Sequence, residues 1–207
     1  SSVGCAAFLK SSSVTSPPAM DVQWRNVSVT VKRGKQILAP CSGQVQVGRM
    51  TALMGPSGSG KSTLLNCLRE VITHQGEVRY NGARYCPELR QTIGFTEQDD
   101  VVIPQLTVRQ SLRFLADLRF GINSKESLSR VDEVMAALRL VRIADSVIGD
   151  ASASQRISGG ERRRLCIARE LLAEPRLLIC DEPTSGLDST MADQVVASMR
   201  ELCNTGR

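Results

Sequence analysis

The chain is poor in rings: one Trp, two Tyr and four Phe among 207 residues. With so little to stack on bases, the net charge of +5 does not by itself imply a nucleic-acid partner, and none is expected. The basic cluster Arg162-Arg163-Arg164 reads instead as a solvated helix face or as a counter-charge for an anionic nucleotide. Histidine occurs once, as His74, and is read as a surface residue rather than a ligand. Long apolar runs are missing. The best candidates, such as Leu177 to Cys180, fall far short of the roughly 18–20 residues that cross a bilayer. Any membrane part is therefore expected outside this chain. Cys-x-x-Cys pairs are absent, and the cysteines are odd in number, seven. Cys166 and Cys180 lie in apolar runs, so reduced core thiols are expected rather than disulfides or a zinc site. An initial Met is also lacking, and Ser1 to Leu9 has neither the positive start nor the long apolar stretch of a secretory signal. The chain is expected to be a piece of a longer protein, with residues 1–20, Ser-rich and containing Pro17-Pro18, as a flexible tail.

What remains is ordinary globular composition, 42% hydrophobic and 23% charged, enough to bury the core of one α/β domain. Val22, Trp24, Val27, Val29 and Val31 alternate loosely, which predicts strands, and Val45 and Val47 continue the pattern. Met50 to Met54 reads as a buried strand feeding a glycine-rich loop. Leu64, Leu65, Leu68, Val71 and Ile72 then fall on one helical face. Glu77 to Tyr80 followed by Asn81-Gly82 predicts a strand and a tight turn. Further on, Thr107 with Gln110 and Ser158 with Glu161 have the spacing of capping boxes, each opening a helix. Leu177 to Cys180 is a short strand that ends in two acids, Asp181 and Glu182.

Gly55-Pro56-Ser57-Gly58-Ser59-Gly60-Lys61-Ser62 fits the phosphate-loop pattern G-x-x-x-x-G-K-[ST] in full, and Thr63 follows it. The glycines let backbone N–H groups turn inward around a phosphate, and the next helix adds its positive end. Lys61 would reach the β- and γ-phosphates of ATP, and the Ser62 hydroxyl would coordinate Mg²⁺. A buried strand ending in a carboxylate puts Asp181 where it can hold Mg²⁺ through water. Glu182 would then act as the general base that polarises the attacking water. Strand, phosphate loop, helix and later acid-tipped strand together make a P-loop nucleotidase of α/β class.

Ile157-Ser158-Gly159-Gly160-Glu161 resembles the signature motif of ABC-type ATP-binding domains. Gln98, in Gly94 to Asp100, resembles the family's Q-loop glutamine, and Ser185-Gly186-Leu187-Asp188 its D-loop. From Asp21 onward the chain is similar to that family throughout. Thr96 to Asp100, Leu106 to Arg109, Ser158 to Arg164 and Asp181 to Ser189 look like its G subfamily of pigment, sterol, lipid and drug exporters. The resemblance implies a RecA-like core, a small antiparallel sheet and an inserted helical subdomain at about 100–156, all within 21–207. It also implies ATP hydrolysis, with Ser158, Gly159, Gly160, Glu161 and Asp188 serving in trans the nucleotide held by a second such domain. Gln98 would touch the Mg²⁺ and couple the site to a transmembrane domain encoded downstream, with the ATP-binding part on the cytosolic side of a membrane. The sequence departs from the family pattern in lacking an adenine-stacking aromatic upstream of the loop. Val31 is expected to make an aliphatic contact instead. The family's switch histidine is expected beyond Arg207. Two other readings stay open on the residues: a soluble ABC-type ATPase acting on ribosomes, DNA or Fe–S assembly, and a module that binds ATP without turnover.

Overall fold

The loose alternation of the first strand has a structural cause. In the computed structural model, which describes residues 20–31, 34–99, 101–149 and 156–204, β1 (Val22–Thr30) pairs antiparallel with β2 (Gln36–Val45) and with β3 (Gln75–Tyr80). Both pairings slip around Arg25 and Asn26, and Asn26 has φ 49°. This bulge moves the buried side chains from Val22 and Trp24 to Val27 and Val29. Trp24 packs against Gly43 of β2, where an added Cβ would sit 2.3 Å from the indole. β4 (Ala83–Arg84) completes the order β2-β1-β3-β4. Asn81 (φ 47°) and Gly82 (φ 77°) form the β3–β4 turn, both left-handed as a type I′ hairpin requires.

The described chain divides into two compact units, one reaching Ile93 and taking in the end from Cys203, the other spanning Gly94–Leu202. In the first, α1 (Lys61–Cys67) packs on β1 and β2. Leu64, Cys67 and Leu68 are buried, and the Tyr80 hydroxyl donates to the Leu68 carbonyl at 2.9 Å. The helix ends sooner than the apolar spacing predicts, because Glu70 turns left-handed (φ 53°), and Val71 is exposed. Met50 to Met54 also differs from expectation. It forms no strand and is exposed, since the unit's sheet is built from β1–β4 and gives this run no ladder.

The second unit is mainly helical: α2 (Val108–Phe120), α3 (Lys125–Ala137), α4 (Gly159–Leu171) and α5 (Ser189–Asn204). β5 (Ile93–Thr96) pairs with β6 (Leu177–Cys180) in a two-stranded sheet. Both capping boxes form. Thr107 and Gln110 exchange backbone and side-chain bonds at 3.2 and 2.9 Å, and Ser158 and Glu161 at 3.2 and 2.8 Å. Leu112, Leu138 and Leu165 are fully buried in the core of this unit, each worth about 1.5–3 kcal/mol relative to exposure. Buried Arg130 joins two helices, donating to the Leu171 carbonyl at the end of α4 at 2.6 Å and pairing with Glu133 and Glu174.

Three side-chain expectations are corrected. Arg163 and Arg164 are 3% and 7% exposed, so the basic cluster is no solvated face. α4 is covered on almost every side, which helical spacing alone does not reveal. The His74 imidazole is nearly buried, bonded to Glu70 at 3.3 Å and the Gln75 carbonyl at 3.2 Å, rather than lying on the surface. Cys41, Cys67, Cys166, Cys180 and Cys203 form no disulfide, as expected of Cys166 and Cys180, whereas Cys86 is disulfide-bonded, against the expectation. Residues 1–19 of the expected tail lie outside the described residues, as do Asp100 and 150–155 of the expected helical subdomain. Among the described residues no helix is long and apolar enough to cross a membrane.

Candidate functional site

Residues 55–62 follow residues 50–54 in the first unit, and the loop is exposed from Gly55 to Ser59. Lys61 opens α1 and folds its ammonium back over the loop, donating to the carbonyls of Gly55 at 2.9 Å and Pro56 at 3.0 Å. Gly60 is the N-cap at φ 92°, with no side chain capping the helix, so the first-turn amides get no side-chain acceptor. A Cβ at Gly60 would meet Leu38 Cδ1 at 3.0 Å and the Ile37 carbonyl at 3.3 Å. Glycine is thus required by both backbone angle and close approach to β2. A cationic ammonium, bare helix amides and an uncluttered loop fit a polyphosphate. Ser62 is exposed on the first turn of α1 with Thr63 half-buried beside it, and Val31 is 41% exposed at the end of β1.

The carboxylates sit in the second unit. The Asp181 N–H donates to the Thr96 carbonyl at 3.0 Å, which sets the end of β6 beside the end of β5. Gln98 Nε2 then donates to Glu182 Oε2 at 3.0 Å across 84 positions of sequence. Glu182 itself is left-handed, φ 45°, a costly conformation for a residue with a side chain. Its carbonyl accepts from Ser185 N–H at 3.0 Å. It also accepts from Arg163 Nη2 at 3.0 Å, and the same guanidinium donates to the carbonyls of Glu97 at 2.7 Å and Gln98 at 2.9 Å. Sequence reading misses Arg163. The available signal was its place on the stripe of Gly160, Ile167 and Leu171, all buried.

The remaining residues surround the start of α4. Ser158 and Glu161 cap that helix, while a Cβ on Gly159 or Gly160 would come within 3.1 Å of Leu187 or Met191. Asp188 Oδ1 accepts from Met191 N–H at 2.9 Å and so caps α5. The structure therefore brings Gln98, Asp181 and Glu182 together, and places Gly159 against Leu187 and Gly160 against Met191. The phosphate loop and Val31 belong to the first unit. Within the second unit Gln98 and Asp181 offer amide and carboxylate oxygens, and in the first Ser62 offers a hydroxyl, hard donors of the kind that Mg²⁺ takes. Among the described residues no group of three or more His, Cys, Asp or Glu forms a self-sufficient metal cage.

Comparison with known proteins agrees across three measures. The sequence profile described as "ABC transporter" matches residues 38–185. The ABC transporter ATP-binding protein/permease wht-3 of Caenorhabditis elegans is 43% identical over 90% of this chain and 32% of its own length. ABC transporter G family member 21 of Arabidopsis thaliana is 43% identical over 85% of the chain and 27% of its length. Protein scarlet of Drosophila melanogaster is 39% identical over 88% and 28%. The chain thus spans about a third or less of the length of these curated relatives. Among solved structures, cbiO1 of Clostridium perfringens, part of the ABC transporter complex cbiONQ, superposes with TM-score 0.78. It is 24% identical, with 89% of this chain and 74% of that chain covered, and so speaks to the fold alone.

Proposed function

We propose a function from one premise: this chain belongs to the ABC transporter family, similar in particular to its G-family members, and is an ATPase of the P-loop α/β fold. Its hydrolysis of ATP drives the outward movement of a lipid, sterol or other hydrophobic compound through a transmembrane part outside residues 1–207. The domain works on the cytosolic face, paired head to tail with a second ATP-binding domain.

The observation that supports the chemistry best is the 3.0 Å bond between Gln98 and Glu182 beside Asp181. In this reading Lys61 releases the Gly55 and Pro56 carbonyls and turns to the β- and γ-phosphates. The loop and α1 amides cradle the same charge, while Val31 lies against the base. Glu182 accepts a hydrogen bond from the attacking water and draws off its proton as the γ-phosphoryl group transfers. Gln98 holds that carboxylate and the water in line, so most of the catalysis is positioning and charge stabilisation. Ser62, Asp181 and Gln98 would hold Mg²⁺, which would supply neutralisation of the charge developing on the phosphates. Ser158, Gly159, Gly160, Glu161 and Asp188 of a second copy close the far side of the nucleotide.

The test is Glu182→Gln in the intact protein, assayed for phosphate release from ATP. The expected result is a loss of turnover of about 10²–10⁴-fold, with ATP binding retained. Turnover at the parental rate would remove Glu182 as the base.

A further inference from the structure

We infer that Arg163 is a positioning residue for ATP hydrolysis, clamping the backbone of Gln98 and Glu182 so that their side chains meet. The inference rests on the proposed role of Glu182 as general base. Arg163 is 3% exposed and never needs to touch nucleotide to act. Its planar fork reaches two strand ends at once: the Glu97 and Gln98 carbonyls after β5, and the Glu182 carbonyl after β6. Only a guanidinium offers several donors in one fixed plane; an ammonium cannot span both segments with the same geometry.

The contact matters because of where it falls on Glu182. A left-handed glutamate (φ 45°) persists only when its surroundings hold it there. Its carbonyl is held from two sides, by the Ser185 N–H and by Arg163. Without Arg163, Glu182 is free to relax toward an ordinary backbone angle. Its carboxylate then turns away from Gln98, and the 3.0 Å bond is lost. Arg163 also belongs to α4, whose first turn carries Ser158, Gly159 and Gly160. A displacement of that helix is thus passed by one side chain to the backbone of the catalytic pair.

The test uses the intact protein with Arg163→Met and Arg163→Lys, each in the parental and the Glu182→Gln background, with ATP turnover read under steady-state and single-turnover conditions. In the parental background, Arg163→Met is expected to lower kcat by about 10–100-fold while KM for ATP stays within about 2-fold, the pattern of a contact that matters in the transition state. Arg163→Lys, which keeps the charge but not the fork, should recover only part of that rate. In the Glu182→Gln background, adding Arg163→Met should cost less than about 2-fold more, since the group it positions is already gone.

An unchanged kcat in either single variant would overturn the positioning role. So would a loss confined to KM, or losses that multiply in the Glu182→Gln background. Should Arg163→Met fail to bind ATP, Arg163→Lys decides the matter by the same readings. Parental turnover in Glu182→Gln alone would instead remove the base, and the positioning role with it. Multiplied losses over an inactive Glu182→Gln would overturn the role of Arg163 alone.

Discussion

Asp117, near the end of α2, accepts from the Ser127 hydroxyl at 2.5 Å, from Arg113 Nε at 3.0 Å and from the Asn123 N–H at 3.2 Å. The Ser127 bond, the largest effect, acts with Arg113 and Asn123 to favour the ionised form and hold the carboxyl below its ordinary range, outweighing the opposing effect of burial. A carboxylate lowered by folding stabilises the native state above its unfolded pKa. That stabilisation disappears as pH falls through the lowered value. Asp117→Asn should therefore reduce the thermal midpoint at neutral pH, and the gap from the parent should close on acidification. Melting curves across that acid range check the prediction, and a gap independent of pH would contradict it. Asp117 thus ties α2, the following turn and α3 together by charge. The same scale shows what a linear sequence withholds. Nothing local to Arg162-Arg163-Arg164 tells which segment will cover them: Arg162 donates to the Ile148 carbonyl, Arg163 to the Glu97 carbonyl and Arg164 to the Gln194 side-chain oxygen.

Elements were legible wherever their determinants are local. The capping boxes at Thr107 and Ser158 need only residues three apart, and both form. Asn81-Gly82 sets its own turn, and the acid-tipped β6 ends at Cys180 before Asp181. Whether an apolar run finds a partner was not legible: Met50 to Met54 has the right apolar content, yet a strand exists only where another segment completes its ladder. Within the site, the identities of the phosphate loop and acids stand in the sequence, whereas the Arg163 clamp depends on β5, β6 and α4 meeting. Arg130 makes a comparable bridge between helices, capping the end of α4 from α3. Arg130→Met should strip the charged donor from the Leu171 carbonyl and leave it the Glu174 N–H alone, at 3.0 Å. The expected cost is about 1–3 kcal/mol, seen as a lowered denaturant midpoint with little change in the slope of the transition. A midpoint equal to the parent's would show that the bridge contributes nothing net.

At the scale of the whole molecule, the proposed pairing of two copies makes a distinctive demand. Each site would take its phosphate loop from one chain and its signature from the other. Two differently disabled chains should then restore one another. Lys61→Ala disables the loop. Ser158→Asp disables the signature but leaves an oxygen that caps α4 as well as serine does, while its negative charge repels a phosphate. Each variant alone should be inactive in the intact protein. Coexpression of the two should recover ATP turnover, because one of the two composite sites in a mixed pair is whole. No recovery in purified mixed pairs would contradict the head-to-tail arrangement.

Trp24 is the chain's single tryptophan, 8% exposed and lying against Gly43. In this chain its fluorescence is a one-site optical gauge seated in the β1–β2 sheet. Excitation of the indole reports unfolding of the unit that carries the phosphate loop, and the Gly94–Leu202 unit contributes no tryptophan signal of its own. Paired with a far-ultraviolet signal dominated by helices, it lets the two units be melted side by side in one cuvette, without attaching a label to either.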